Sequence, residues 1–520
     1  MQKIEKYVDV KIKMKWWIIL IFLFLYKTPE IFAQQKSVTQ EEVELENLNK
    51  YEEKKPAVPP ISLVTNNQDE FLYGARIQRF MTLLESSNKN RRLPVSILIY
   101  GQSITGSQIF TEELNKYLRE KYPYVVLSIE NRSIGGFGGE RLVRTSIHDL
   151  YDVCYDLIVF HVYGGEKHGE LETIFSNIRK HTTAEILLLN HHISSDKTVN
   201  YDESSYLYLN YIANKYNCEL VDVTKEWAHY LVDNNLKTED LLRDVVHPNR
   251  WGNWLLVQLM SKHFRLNNLF PSDWYKQIQT YYVNSVINPK SDSPIRFKKK
   301  DWDKIGDVYY GINPENTLIL EFEGNRVDII PGLVNSSERL GSARIWLDGK
   351  PLSKNSSLYA ITRPSAGPGT WWPLIRRVEH STDLIPETWT MRIDQVNPDS
   401  TLWMFSVYGS KTGYDGSGNS NEDFVSKSGR VIIHKDDYMF KEIKNSFNQV
   451  TKPGFEVKWE VRPLFNDIYH AIPVEDPSIV YKIMIVHGLP NEPHVLEIIP
   501  VGDGIVPIEA IEIHRPPLID

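Results

Sequence analysis

Val95-Ser96-Ile97-Leu98-Ile99-Tyr100-Gly101-Gln102-Ser103-Ile104-Thr105-Gly106 decides how the rest of the chain is read. Apart from Ser96, the run Val95 to Ile99 is apolar, as expected of a buried strand. The chain then turns through two glycines that bracket a serine. From Ser107 to Lys121 the apolar residues Ile109, Phe110, Leu114, Tyr117 and Leu118 fall at helical spacing. A strand that ends in Gly-x-Ser and opens a helix leaves the serine hydroxyl exposed at the carboxyl edge of a sheet. The backbone N–H groups there point outward and can meet developing negative charge. The plainer alternative is a strand–turn–helix in which serine merely caps the helix. A second stretch far downstream, Asp244-Val245-Val246-His247-Pro248-Asn249, favours the chemical reading, although Asp capping a helix with Pro248 in its first turn is an alternative there too.

Working outward, an alternating pattern runs from Glu70 to Asn267. Strands are expected at Val95–Tyr100, Val125–Ile129, Leu157–Tyr163, Glu185–Asn190 and Glu219–Val223. Helical patterns cover Ala75–Leu84, His168–Lys180, Glu203–Lys215, Lys225–Val232 and Trp251–Phe264. Nearly continuous apolar strands separated by helices predict an α/β fold, a parallel sheet covered on both faces. Ligands bind such sheets at the carboxyl ends of the strands, where all the loops singled out here lie. Beyond about Asn284 the strands become short and alternating, as in Thr317–Glu323 and Ala343–Gly349, with aromatic-rich turns such as Gly367–Trp372. That texture predicts an all-β sandwich over 285–520. A loose likeness between Val378–Tyr408 and Val486–Ile513 raises a duplicated sandwich.

The chain has 520 residues, 42% of them hydrophobic, enough for two domains with substantial cores. A formal net charge of −8 argues against nucleic acid as a partner. At the N-terminus, Lys3, Lys6, Lys11, Lys13 and Lys15 precede the apolar run Trp16–Tyr26, and a small-residue cleavage point follows near Ala33. Basic, apolar, small is the order of a secretory signal, and the run is too short to span a bilayer comfortably. The expected organisation is a signal peptide over 1–33, a polar, proline-ended linker over 34–66 and an α/β domain over 67–270. The mature protein is expected to be secreted or periplasmic, without stable membrane insertion. Cys154 and Cys218 are the only cysteines; a disulfide and two buried thiols are both open.

The motifs resemble those of the SGNH hydrolases, the GDSL-like esterase superfamily, over roughly Pro94 to Phe264. Gly101-Gln102-Ser103-Ile104-Thr105 is similar to the block that carries the nucleophile. Asn131-Arg132-Ser133-Ile134-Gly135-Gly136 is similar to the second block, and Asp244-x-x-His247 to the last. The resemblance implies a flavodoxin-like three-layer fold, with Ser103, Asp244 and His247 catalytic and the Ser103 and Gly136 amides forming the oxyanion hole. No cofactor and no metal are expected from the residues. The third block departs from the family: His161-Val162-Tyr163-Gly164-Gly165-Glu166 places Gly165 where an asparagine is usual. Gln102, His161 and Asn190 are the candidates to replace that donor or to meet substrate.

The chemistry also stands on the residues alone. A serine hydroxyl needs an adjacent base, histidine titrates in the working range, and a carboxylate three residues away can orient it. Gly135-Gly136-Phe137-Gly138-Gly139 lacks dinucleotide-loop spacing. Adjacent His191 and His192 at a strand end point in different directions, which suits a supporting or substrate role better than metal. His148 and His168 are expected at the surface. Trp371 and Trp372 are candidates for a sugar-stacking platform, with burial in a core as the alternative. The expected function is an exported O-acetylesterase acting on a glycan, and the β-region is similar to jelly-roll modules found beside such enzymes. The alternatives are a general lipase or aryl esterase, or a catalytically impaired glycan-binding protein.

Overall fold

A computed structural model describes residues 70–194, 204–269, 274–284, 294–334 and 337–518. The expected signal peptide and linker lie outside the described residues. The first unit is built on strands β1 (Pro94–Gly101), β2 (Val126–Asn131), β3 (Leu157–His161), β4 (Glu185–Leu189) and β5 (Glu219–Val221). All are parallel neighbours in the order β2-β1-β3-β4-β5, the doubly wound 2-1-3-4-5 arrangement. The helices are α1 (Gln78–Ser86), α2 (Gln108–Lys121), α3 (Gly139–Asp149), α4 (Glu170–His181), α5 (Ser204–Lys215), α6 (Val223–Asp233) and α7 (Arg250–Ser261).

Every residue of β3 and β4 is buried, which is why these strands read as unbroken apolar runs. The two-residue period sends Ile97, Ile99, Val159, Leu187 and Leu189 to one face, against α1, α2, α6 and α7. Leu98, Tyr100, Ile158, Phe160, Ile186 and Leu188 face the other way, toward α4 and α5. The result is a three-layer α/β/α sandwich.

The all-β region begins at Ile278–Tyr282, a few residues before the expected boundary, and its two larger sheets are antiparallel. A ten-stranded antiparallel sheet takes strands from both ends of the region, with Leu318–Pro331 between Ile483–Pro500 and Val506–His514. Between its strands Lys350–Pro351 and Ile468–His470 the chain makes a separate five-stranded sheet from Tyr359–Ile361, Thr388–Val396, Trp403–Gly409, Gly413–Asn419 and Glu456–Pro463. This inserted module also carries a helix, Phe440–Phe447. The two stretches with a loose internal likeness lie in different sheets and pair differently. Thr388–Val396 pairs directly with Trp403–Gly409, whereas Leu318–Pro331 separates Ile483–Pro500 from Val506–His514.

Helix α3 was not expected from the sequence. Its buried positions include Thr145, Ser146, His148 and Asp149, so no apolar stripe marks it. His148, Asp149 and the neighbouring Arg144 dock the inserted module. Arg144 forks onto Asp437 at 2.9 and 2.6 Å, and Asp149 accepts from Arg363 at 2.7 Å. His148 is therefore buried rather than at the surface. Its Nδ1 donates to the Ile361 carbonyl at 2.8 Å, and its Nε2 accepts from the Val378 amide at 3.1 Å. His168 is exposed as expected. Cys154 and Cys218 are both free thiols.

Candidate active site

The turn after β1 is shaped by close approach. Gly101 has φ +144°, and a Cβ there would lie 1.9 Å from the His161 carbonyl oxygen, so only glycine lets β1 and β3 end side by side. The next helix is capped by Ser107, whose Oγ accepts from the Phe110 amide. Ser103 is thereby left out of the capping role. The same holds downstream, where Asn249 caps α7 by accepting from the Trp251 and Gly252 amides at 2.9 and 3.1 Å, leaving Asp244 for His247.

These two loops meet over the carboxyl edge of the sheet. His247 Nε2 lies 2.9 Å from Ser103 Oγ, and His247 Nδ1 lies 2.8 Å from Asp244 Oδ2. With the proton on Nδ1 directed at the carboxylate, Nε2 accepts from the serine hydroxyl. Asp244 also accepts from the Val246 and His247 amides at 2.8 and 2.7 Å. Partial burial works to raise its carboxyl. The amide bonds and the imidazole outweigh that and hold it below the ordinary carboxylate range, so it stays ionised beside the histidine.

The second loop runs alongside the nucleophile turn. The Ile134 amide donates to the Gly101 carbonyl at 2.9 Å, and Thr105 Oγ1 meets Ser133 Oγ at 3.2 Å. Asn131 Nδ2 donates to the Thr105 carbonyl at 2.7 Å. Gly136 follows with φ +81°.

The three candidates for a replacement donor fare differently. Gln102 is buried; with its amide oriented to satisfy its surroundings, Nε2 donates to the Phe137 carbonyl and Oε1 accepts from the Tyr163 amide, both at 2.9 Å. Asn190 donates to Asp222 at 2.8 Å and accepts from the Thr224 amide at 2.9 Å, pinning the start of α6. Both are committed to holding loops. His161 bonds through Nε2 to His191 Nδ1 at 3.2 Å and keeps Nδ1 unpartnered. Burial, together with neighbouring His191 and His192, holds it well below the ordinary histidine range. At the position of the usual asparagine, the Gly165 amide instead donates to Glu140 at 3.0 Å.

Sequence reasoning gave His192 no specific task. Its Nε2 donates to the Val246 carbonyl at 2.5 Å, bracing the loop that carries the Asp–His pair. Burial pushes it down to about 4, so it remains a neutral donor. The partners are separated by 54 residues in sequence, so no local signal joins them. Trp372 is 7% exposed, with ring contacts to Phe137 and Phe447, and belongs to the core. It is not an open stacking platform; Trp371 beside it is half-buried. A cavity of about 590 Å³ lined by Arg76, Glu185 and Glu219 opens at the opposite, amino-terminal edge of the sheet, away from Ser103.

No family profile matches the sequence, and no curated protein matches it. Among solved structures the chain is similar to a two-domain esterase active on acetylated mannans, co-crystallised with mannopentaose. The identity is 12%, covering 86% of this chain and 99% of that one, with a TM-score of 0.33. It is similar also to an acetylxylan esterase from Geobacillus stearothermophilus, at 17% identity over 36% of this chain and 98% of that one, TM-score 0.29. A GDSL-like lipase from Parabacteroides merdae matches at 17% identity over 34% and 98%, TM-score 0.28. In this chain the strand order is that of a doubly wound, flavodoxin-like parallel sheet, with the three motif loops gathered at one carboxyl edge.

Proposed function

We propose that the protein is an exported serine esterase that removes O-acetyl groups from a polysaccharide or oligosaccharide. The observation that carries this reading is the unbroken relay from Ser103 Oγ through His247 to Asp244. Ser103 attacks the ester carbonyl while His247 Nε2 takes its proton. The oxyanion that forms accepts from the Ser103 and Gly136 amides. His247 returns the proton to the leaving sugar hydroxyl, leaving an acetyl-serine. Water, deprotonated by the same imidazole, then releases acetate. Asp244 holds the imidazole in the tautomer this cycle requires.

The glycan part of the proposal rests on the β-rich units set beside the hydrolase-like domain and on the secretory character of the N-terminus. One observation favours a second reading, a glycan-binding protein of impaired activity: Gly165 supplies no side-chain donor where the resemblance calls for asparagine, and such a donor is worth about 10²–10³ in rate. Acetate release from acetylated mannan, acetylated xylan and an aryl acetate separates the readings. Release from at least one glycan, lost in Ser103→Ala, is expected. Turnover of the aryl acetate alone favours a general esterase. Release that survives in Ser103→Ala contradicts the mechanism.

A further inference from the structure

We propose that Trp371 and Trp372, supplied by the inserted module, are positioning residues that aim the Gly136 amide at the acyl oxygen, so that the oxyanion site is shared between two units of the chain. The inference rests on the esterase reading above. Both indoles donate to one acceptor: Trp371 Nε1 reaches the Gly135 carbonyl at 2.9 Å and Trp372 Nε1 reaches it at 2.6 Å. The peptide joining Gly135 to Gly136 is trans. In a trans unit the N–H points opposite to the C=O, so fixing the Gly135 oxygen from one side fixes the Gly136 N–H on the other.

The loop has little stiffness of its own. Gly135, Gly136, Gly138 and Gly139 surround a single phenylalanine, and glycine gives the backbone almost no preference. Its direction must come from outside: the domain holds the Phe137 carbonyl through Gln102 and the Gly139 amide through the Tyr163 carbonyl, and the module holds the Gly135 carbonyl. A Cβ at Gly136 would stand 3.0 Å from Trp372 Cζ2, so the indole lies directly against the backbone. The following carbonyl, that of Gly136, accepts from Arg141 at 3.1 Å. The Arg141 guanidinium in turn lies over the Trp372 ring and pairs with Glu442 of the module helix at 2.9 Å.

The indoles are themselves immobilised. The Trp372 amide donates to Thr370 Oγ1 at 3.1 Å, the Gly367 amide donates to the Trp372 carbonyl at 2.9 Å, and Phe447 meets both rings edge-on. A hydrogen bond weakens steeply as its angle departs from linear, and donors fixed in advance are what lower the barrier to a developing oxyanion. Freeing the Gly135–Gly136 peptide to rotate therefore acts on the transition state and leaves ground-state binding nearly untouched.

The test uses the full chain and 4-nitrophenyl acetate, with Trp371→Phe, Trp372→Phe and the double variant, which delete the N–H and keep an aromatic ring. Each single variant retains one donor, and kcat is expected to fall roughly two- to fivefold. The double variant is expected to lose about 10- to 100-fold in kcat, with KM within about twofold and the pH profile unchanged in shape. A folded double variant with kcat within about twofold of wild type overturns the proposal. If the double variant does not fold, kcat in Trp371→Phe decides: a fall at constant KM supports the proposal and an unchanged kcat overturns it. The outcomes keep the two readings apart. Wild-type turnover that ignores both tryptophans refutes the clamp alone, whereas a folded wild type with no turnover and no reactive Ser103 removes the esterase reading and the clamp together.

Discussion

The inserted module and the ten-stranded sheet are both β-rich and both follow the α/β domain in sequence, yet they join it by different physics. The module shares a core with the domain: Leu98, Tyr100, Phe137 and Phe160 belong to the same buried cluster as Trp372, Leu374, Trp389, Phe405 and Val457. The ten-stranded sheet closes a core of its own, with Leu320, Ile345, Leu496 and Ile511 among its members. It meets the domain through polar contacts. Thr183 Oγ1 pairs with His514 Nδ1 at 2.8 Å, Asn325 donates to the His181 carbonyl at 2.8 Å, and Arg92 exchanges backbone bonds with Ser478 and Val480. Behind that seam, buried Asp328, Glu512 and His514 are matched by Arg326 and Lys482. A shared apolar core couples two units into one folding event, whereas a polar seam lets each keep its own stability.

The largest effect is therefore expected inside the shared core. Trp389 is 1% exposed in the module, and Trp389→Ala should cost about 3–5 kcal/mol. Because the core is common, denaturant unfolding of the α/β domain should move with it, and hydrolysis of an aryl acetate should disappear at the same denaturant concentration. Retention of the domain's own midpoint would separate the two units after all.

A smaller and pH-dependent effect is expected at the α3 docking face. Burial holds His148 at about 4 in the folded protein, below the ~6.5 of an unfolded histidine. The unfolded chain takes up the proton first, so this contribution is full above about pH 6.5 and is lost as the pH falls toward 4. Thermal melts of His148→Gln should lose about 1–2 kcal/mol less than wild type between pH 6.5 and 4.5. Parallel curves would place the titrating groups elsewhere.

The smallest effect belongs to the seam. Thr183→Val removes one hydrogen bond to His514 and should cost about 1 kcal/mol in calorimetry, with esterase kinetics unchanged. A large loss of activity there would mean that the ten-stranded sheet reaches the site as the module does.

How much of this was legible in the sequence follows the range of the interactions. The strands of the α/β domain announced themselves because burial on both faces leaves continuous apolar runs, and the Ser103 and Asp244–His247 motifs are short enough to be read locally. Helix α3 escaped because the face it buries is polar, matched to Arg363 and Asp437 far along the chain. The insertion escaped for a related reason: strands of the ten-stranded sheet flank a whole module, and strand pairing over that distance leaves no local trace. Trp371 and Trp372 sit in a Gly/Pro-rich turn, the setting of an exposed platform, and only the packed structure turns their N–H groups onto Gly135.

The central claim is that Ser103 is a nucleophile activated by His247. It is tested most directly by mass spectrometry of the full-length protein after exposure to a fluorophosphonate. The account predicts a single covalent adduct on Ser103, formed at a rate that falls by at least about 10²-fold in His247→Ala, since the hydroxyl then lacks its base. A folded protein in which Ser103 stays unmodified, or in which the labelling rate is indifferent to His247, would contradict it.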